Sequence, residues 1–407
     1  LKHILLSLGI LVVFAFAQSS SAQSCDGQRY FGLLFPVYDS STVVYSNNNM
    51  TMDIYQPDGD TATNRRVVMM IHGGDFYEGS SKDAFVYFIC QQYAKRGFVT
   101  VSINYTLIPI DSNIFNEPIL DSATGYPIIA QTISDAKAAV RYLKMNAASL
   151  RIDTSWIVIG GDASGALIAD HIAYMTAYSP AVPLFDSAFA ALGGLDGNSG
   201  NPGYSANVKA VLNFGGGLLN LDMITGQDHA PCYTFQSDSD ADIPFECGYA
   251  FDYYANYTVC GGGAMQPVLS SLGITNQLVF FDSLDNEPWG DTVYSGPLQG
   301  RYIQSMVDSQ AAVFLYQIDC PTFTAIKEIT DAHISLYPNP SSGMIYIQAD
   351  NAIETVDIID YTGRRVGTYA AAGSQSNIDI SRFSAGIYIA RINLKDQGNA
   401  VRRFIVE

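Results

Sequence analysis

The sequence predicts an α/β fold, in which a mostly parallel central sheet is flanked by helices, followed by a small C-terminal all-β sandwich. Three observations predict it. Continuous apolar runs such as Val67-Val68-Met69-Met70-Ile71 suit strands buried on both faces of a parallel sheet. Strand-like and helix-like segments alternate from about residue 40 to residue 320, and such alternation gives right-handed crossovers within one sheet. Beyond residue 335 the pattern changes to period-two alternation punctuated by turns.

Strands are expected at 43–45, 51–55, 67–71, 98–103, 156–159, 210–214, 233–235 and 277–281, where β-branched and aromatic residues cluster. Residues 133–147 set Ala136, Ala139, Val140 and Leu143 at helical spacing, with Ser134 or Asp135 as N-cap. Leu167, Ile168, Ile172 and Met175 form the apolar stripe of a second helix. The connections 104–132 and 179–207 are rich in Pro, Gly, Asn and aromatic residues. In open α/β sheets such insertions sit over the carboxyl ends of the strands, where ligands bind. In the C-terminal part, Ile345 and Ile347, Val356 and Ile358, Ile387 and Ile389, and Phe404 to Val406 mark strands, with turns at Thr362-Gly363 and Ala385-Gly386.

At 407 residues and 48% hydrophobic, the chain can bury a large core and form two domains. Its formal charge of −18 argues against nucleic acid and anionic bilayers as partners and leaves small neutral ligands open. Lys2, the apolar run Ile4–Ala17 and the small residues ending at Ala22 read as a secretory signal peptide, and no later segment reads as a transmembrane run. Cys25, Cys90, Cys232, Cys247, Cys260 and Cys320 suit up to three disulfides in an exported chain, one of them within the group Cys232, Cys247 and Cys260. Their spacings do not suit zinc, and no cofactor is read from the residues.

The densest signal is Ile159-Gly160-Gly161-Asp162-Ala163-Ser164-Gly165-Ala166. Gly161 and Gly165 stand two residues on either side of Ala163. That is the spacing a sharp strand-to-helix elbow needs, because side chains there would collide. Centring the turn on Ser164 would put Asp162 and Ala166 in the crowded positions.

With Asp53-Ile54-Tyr55-Gln56-Pro57, Ile71-His72-Gly73-Gly74-Asp75-Phe76, Ala94-Lys95-Arg96-Gly97-Phe98-Val99 and Ile103-Asn104-Tyr105, the elbow resembles the carboxylesterase and lipase branch of the α/β-hydrolase family over residues 40–300. The resemblance implies an α/β-hydrolase fold and an acyl-transfer site. It implies an oxyanion hole made by the amides of Gly73, Gly74 and Ser164, with Asp75 where the family often has a third glycine. His72 reads as a structural loop residue. Ala163 then takes the nucleophile position, with Ser164 as the alternative nucleophile. Asp240 fits the acid position before Ile243-Pro244, with Asp238 and Asp242 as competitors; a solvated turn or weak cation site is the other reading of this loop. Asn286 takes the base position after the last core strand. No histidine stands between His229 and His333, His171 lies two helical turns beyond Ser164, His229 precedes a strand, and His333 is in the linker.

Residues 335–407 resemble the type IX secretion C-terminal sorting domain of Bacteroidetes. Tyr337-Pro338-Asn339-Pro340, Asp360-Tyr361-Thr362-Gly363-Arg364, Ala385-Gly386-Ile387-Tyr388 and the end Arg402-Arg403-Phe404-Ile405-Val406-Glu407 carry the resemblance. It implies export across the periplasm and outer membrane, the type IX machinery as partner, and release or surface attachment. The expected organisation is a signal peptide at 1–22, an α/β-hydrolase-like domain at 23–320, a linker at 321–334 and a sorting domain at 335–407. The leading functional expectation is a secreted pseudo-esterase that binds an ester-like or aryl small molecule, or a surface partner. The alternatives are an active serine esterase acting through Ser164, and a structural surface protein whose insertions fill the cleft.

Overall fold

In the computed structural model the described residues are 28–108, 122–226, 229–251, 257–282, 284, 286–290, 297–320, 334–360, 365–371, 373–395 and 398–406. The expected signal peptide, Cys25, His333, the Thr362-Gly363 turn and nearly all of the linker lie outside them.

Strand β1 (Tyr38–Val44) and β2 (Thr51–Pro57) pair antiparallel at one margin of the main sheet, and β2 runs antiparallel to its other neighbour. There follow β3 (Arg65–Ile71), α1 (Ala84–Lys95), β4 (Val99–Ile103), α2 (Ser122–Met145), α3 (Ala147–Leu150), β5 (Ile152–Asp162), α4 (Ser164–Tyr174), α5 (Pro183–Ala191) and β6 (Val211–Phe214). Next come β7 (Gly217–Leu218), β8 (Cys232–Ser237), β9 (Cys247–Tyr249), β10 (Thr258–Gly261), α6 (Gly262–Ser271), β11 (Asn276–Phe281) and α7 (Pro297–Gln317). The main sheet has the order β1-β2-β4-β3-β5-β6-β8-β11, parallel from β4 to β11.

The continuous apolar run of β3 has a direct cause. Val67, Met69 and Ile71 enter a core shared with α2 and α4, whereas Val68 and Met70 enter a second core on the opposite face with α1 and α7. A strand feeding two cores has no polar face to alternate with.

The structure moves the expected start of the first long helix. Ser134 and Asp135 do not cap it, because α2 begins at Ser122 and takes in part of the expected 104–132 connection, with Pro127 inside its second turn. Tyr126, Ile129, Ala130 and Ile133 continue the buried stripe upstream, and that burial outweighs the hydrogen bond lost at the proline. Asp135 acts instead as a mid-helix anchor. Its carboxylate accepts from Asn48 (3.1 Å), Gln131 (2.9 Å), the Thr106 amide and hydroxyl (3.0 and 2.6 Å) and the Ser199 hydroxyl (2.6 Å). It thereby ties the β1–β2 turn, the exit of β4 and the 193–203 loop to one helix.

That loop lies within the expected 179–207 connection, which also contains α5. Gly193, Gly194, Gly197, Gly200 and Gly203 have positive φ. Arg141 donates to the carbonyls of Asp196 (2.9 Å) and Gly200 (3.0 Å), and Lys137 to that of Leu195 (2.6 Å). The Asn47 amide bonds the Ser199 carbonyl, which sets the loop beyond the carboxyl end of β4.

Cys247 and Cys260 form a disulfide across β9 and β10. Cys90 and Cys232 are buried thiols, so three bridges do not form.

The C-terminal unit comprises β12 (Ser335–Tyr337), β13 (Met344–Gln348), β14 (Ile353–Asp360), β15 (Arg365–Ala370), β16 (Gln375–Asp379), β17 (Gly386–Leu394) and β18 (Gly398–Val406). They form antiparallel sheets β12-β13-β16 and β15-β14-β17-β18 around Ile345, Ile347, Val356, Ile358, Ile378 and Phe404. The strand expected at Ile387 and Ile389 is β17. Tyr388, Ala390 and Ile392 are buried and Ile389 only half-buried, because Tyr388 stands opposite Phe404 and stacks on it at 5.7 Å.

Replacing Asp135 with alanine removes every acceptor of the anchor at once. We expect Asp135→Ala to lower the stability of the α/β unit by about 2–4 kcal/mol. Urea unfolding followed by tryptophan fluorescence checks this, since both tryptophans, Trp156 and Trp289, belong to that unit.

Candidate functional site

The elbow is built by one close approach. A Cβ on Gly161 would lie 2.2 Å from the Gly165 carbonyl carbon, and a Cβ on Gly165 would lie 2.3 Å from the Ile71 carbonyl oxygen. Only hydrogen fits at both positions, so the end of β5, the start of α4 and the end of β3 come together with Ala163 at the apex. Ala163 has φ 46° and ψ −114°, a backbone strain typical of a nucleophile elbow. Its amide bonds the Phe214 carbonyl at 2.8 Å.

Ser164 is the first residue of α4 and is wholly buried. Its hydroxyl lies beside that of Tyr105 without meeting hydrogen-bond geometry with it. Tyr105 instead donates to the carbonyls of His72 and Gly73, both at 3.1 Å. His72 stacks on Tyr105 (4.2 Å, 15°) and donates from Nδ1 to the Gly73 carbonyl at 2.7 Å; burial lowers its pKa and keeps the ring neutral. The His72 ring is thus a brace for its loop. His171 is buried, its Nδ1 held by the Leu167 carbonyl, and His229 is held between the Ala173 and Thr225 carbonyls. Among the described residues no histidine reaches Ser164 or Ala163.

The loop after β3 turns on three consecutive positive-φ residues, Gly74 (97°), Asp75 (51°) and Phe76 (69°). Gly73 faces the apex: a Cβ there would lie 3.1 Å from the Asp162 carbonyl oxygen and 3.6 Å from the Ala163 Cβ.

Family comparison agrees with this construction. Residues 52–245 match the BD-FAE family, and residues 335–407 match the secretion system C-terminal sorting domain. The chain thus contains an esterase-like domain of the α/β-hydrolase kind over residues 52–245 and a C-terminal sorting domain over 335–407. No curated protein matches it. It is similar to solved structures of an esterase from Thermogutta terrifontis: esterase 2 phosphoramylated by tabun, at 19% identity over 70% of this chain and 96% of that one, with a TM-score of 0.49. The propionate-bound form of that esterase matches at 18% identity over 70% and 95% of the two chains, TM-score 0.48, and its butyrate-bound form at 18% over 69% and 94%, TM-score 0.49. The sorting domain of the α/β-hydrolase marks it for export by the secretion machinery, to be secreted or held at the cell surface. Among the described residues no helix is long and apolar enough to cross a membrane.

The hydrolase's acidic loop follows β8. Asp240 accepts from the amides of Ile243 (2.9 Å) and Asp242 (3.1 Å) and from Gln236 (3.4 Å), and burial pushes its carboxyl up to about 7. Asn286 does not bond Asp240; its side-chain amide donates to Asp242, one of the two competitors. Asp238 is exposed, its amide bonding the Phe281 carbonyl.

Two residues that sequence reasoning passed over come to the centre. Trp289 is buried and donates from Nε1 to Asp162 Oδ1 at 2.8 Å, while burial raises that carboxyl to about 7. Glu287, at φ 52°, brings Oε1 to 3.4 Å from where a Cβ on Gly73 would stand. The Asp162 charge, then burial, then Asp75, Asp242 and Asp240 hold its proton on far above the usual carboxylate range. The signal available was Glu287-Pro288-Trp289 itself, directly after Asn286.

Two outcomes follow. Gly165→Ala should cost more than about 4 kcal/mol, because the Ile71 backbone cannot yield; thermal melting of the purified variant checks it. Asp162 and Glu287 have folded pKa values raised above their unfolded ones. They therefore contribute stability that is fully present below about pH 4 and is lost as pH rises, through about 7 for Asp162 and about 10 for Glu287. We expect the melting temperature to fall over that window, and Asp162→Asn to remove up to about 1.4 kcal/mol per pH unit of the slope.

Proposed function

We propose that this exported α/β-hydrolase is a catalytically impaired carboxylesterase relative that keeps the pocket to bind an ester-like or aryl small molecule, or a surface partner. The observation that carries the reading is the apex: the strained position that presents a nucleophile in this fold holds Ala163, a methyl group. Asn286, in the loop expected to supply the base, cannot cycle a proton near neutral pH. Asp240 or Asp242 would be the remnant acid, and Gly73, Gly74 and the Ser164 amide the remnant oxyanion donors. Ser164 is a poor substitute nucleophile, since its hydroxyl is buried next to a phenol rather than a base.

Donors and binding alone retain a residual acceleration of about 10³–10⁴ over water when triad members are gone. We expect the full chain to hydrolyse p-nitrophenyl butyrate at no more than that level, with Ser164→Ala unchanged within about twofold. Efficient turnover abolished by Ser164→Ala would make the protein a working serine esterase. Thermal-shift titration with neutral esters and aryl amides tests the binding half. A ligand at 100 times its Kd should stabilise the fold by about 2.7 kcal/mol, and no saturable shift with any of them would point to a filled, structural cleft.

A further inference from the structure

We propose that Glu287 is the residue that decides what this pocket accepts: its carboxyl group occupies the space beside Gly73 where an acyl oxyanion would be held, so the pocket excludes anionic ligands and admits neutral ones. This inference rests on the proposed reading of the pocket as retained but impaired.

The placement of the side chain is built. Trp289 is locked to Asp162 at the end of β5, and the Gly290 amide closes a turn on the Glu287 carbonyl at 2.8 Å. Just ahead of these two fixings Glu287 takes the left-handed backbone conformation, at a cost of about 1–3 kcal/mol for a residue with a Cβ, which the turn enforces. The result is a side chain turned inward. Its Oε1 and the Ala163 Cβ stand 3.4 and 3.6 Å from one point, the position a Cβ on Gly73 would occupy. The carboxyl and the apex methyl therefore both crowd the same stretch of the loop at Gly73. A tetrahedral oxyanion, or the carboxylate of a released acid, would have to enter the same volume.

Charge acts in the same direction. The titratable groups around Glu287 are Asp75, Asp162, Asp240 and Asp242, all acids, and His72 has its Nδ1 turned to a carbonyl. An incoming anion meets these carboxyl groups. A neutral carbonyl meets a protonated carboxyl able to donate to it.

The test compares the full-length parent with Glu287→Gly, which suits the left-handed backbone, and Glu287→Gln, which keeps the size and removes the acid. Isothermal titration uses butylphosphonate as the anionic tetrahedral probe and butanamide as the neutral one. We expect Glu287→Gly to bind butylphosphonate at least about tenfold tighter than the parent, with butanamide affinity shifted far less. Glu287→Gln keeps the size and, like the protonated carboxyl it replaces, carries no charge, so it should bind butylphosphonate as weakly as the parent; tightening equal to that of Glu287→Gly would overturn the proposal. Equal butylphosphonate affinity for parent and Glu287→Gly, including no binding by either, overturns the proposal, as does equal tightening for both probes. A kinetic arm adds Ala163→Ser with Asn286→His: p-nitrophenyl butyrate hydrolysis should remain at background in that double variant and rise at least about tenfold when Glu287→Gly is added. Hydrolysis by the double variant equal to a measurable rate in the triple would overturn it. Ester turnover by the unaltered parent through Ser164 would instead defeat the proposed function and leave the phosphonate comparison standing.

Discussion

Everything in the hydrolase domain that resembles a catalytic centre depends on the close approach of three backbones where β3, β5 and α4 meet. Gly161 and Gly165 make the approach possible by having no side chain. Once the backbones touch, the strained φ of Ala163, the direction of α4 and the position of the His72-Gly73-Gly74 loop are all set together. The chemistry of the apex side chain is not part of that construction. A methyl group there leaves the elbow as sharp as a hydroxymethyl would, which is why the scaffold and its reactive group can be inherited separately.

The environment around the elbow differs from one prepared to stabilise developing negative charge. Burial raises Asp162 and Asp240 to about 7, and the Asp162 charge together with burial raises Glu287 further, so these three carboxyls are disposed to keep their protons. Trp289 is the partner that makes this tolerable at Asp162, giving one oxygen of a buried carboxyl an indole donor. The same contact fixes the turn that presents Glu287, so packing and electrostatics at the pocket floor share a single hydrogen bond.

What was legible in the sequence was what is local or periodic. The glycine spacing defined the elbow because the clash it avoids involves residues four apart, and the two-faced burial of β3 wrote itself as an unbroken apolar run. The beginning of α2 was hidden, since Pro127 resembles a helix breaker and Ser134-Asp135 resembles a cap. Only Asn48, Thr106 and Ser199, distant in sequence, show Asp135 to be an anchor. In the last loop the side chain that a left-handed step turns toward Gly73 is that of Glu287, while its neighbour Asn286 bonds Asp242. Such a step depends on the Trp289–Asp162 contact, which no short-range pattern encodes.

Arg141 and Lys137 reach in from α2 and hold the carbonyls of Leu195, Asp196 and Gly200, so the 193–203 loop is fastened to the helix by the chain's own cations. The counter-ions are covalently part of the chain. The loop's backbone is thus held by bonds that travel with the polypeptide, so its order depends on α2 staying folded beneath it.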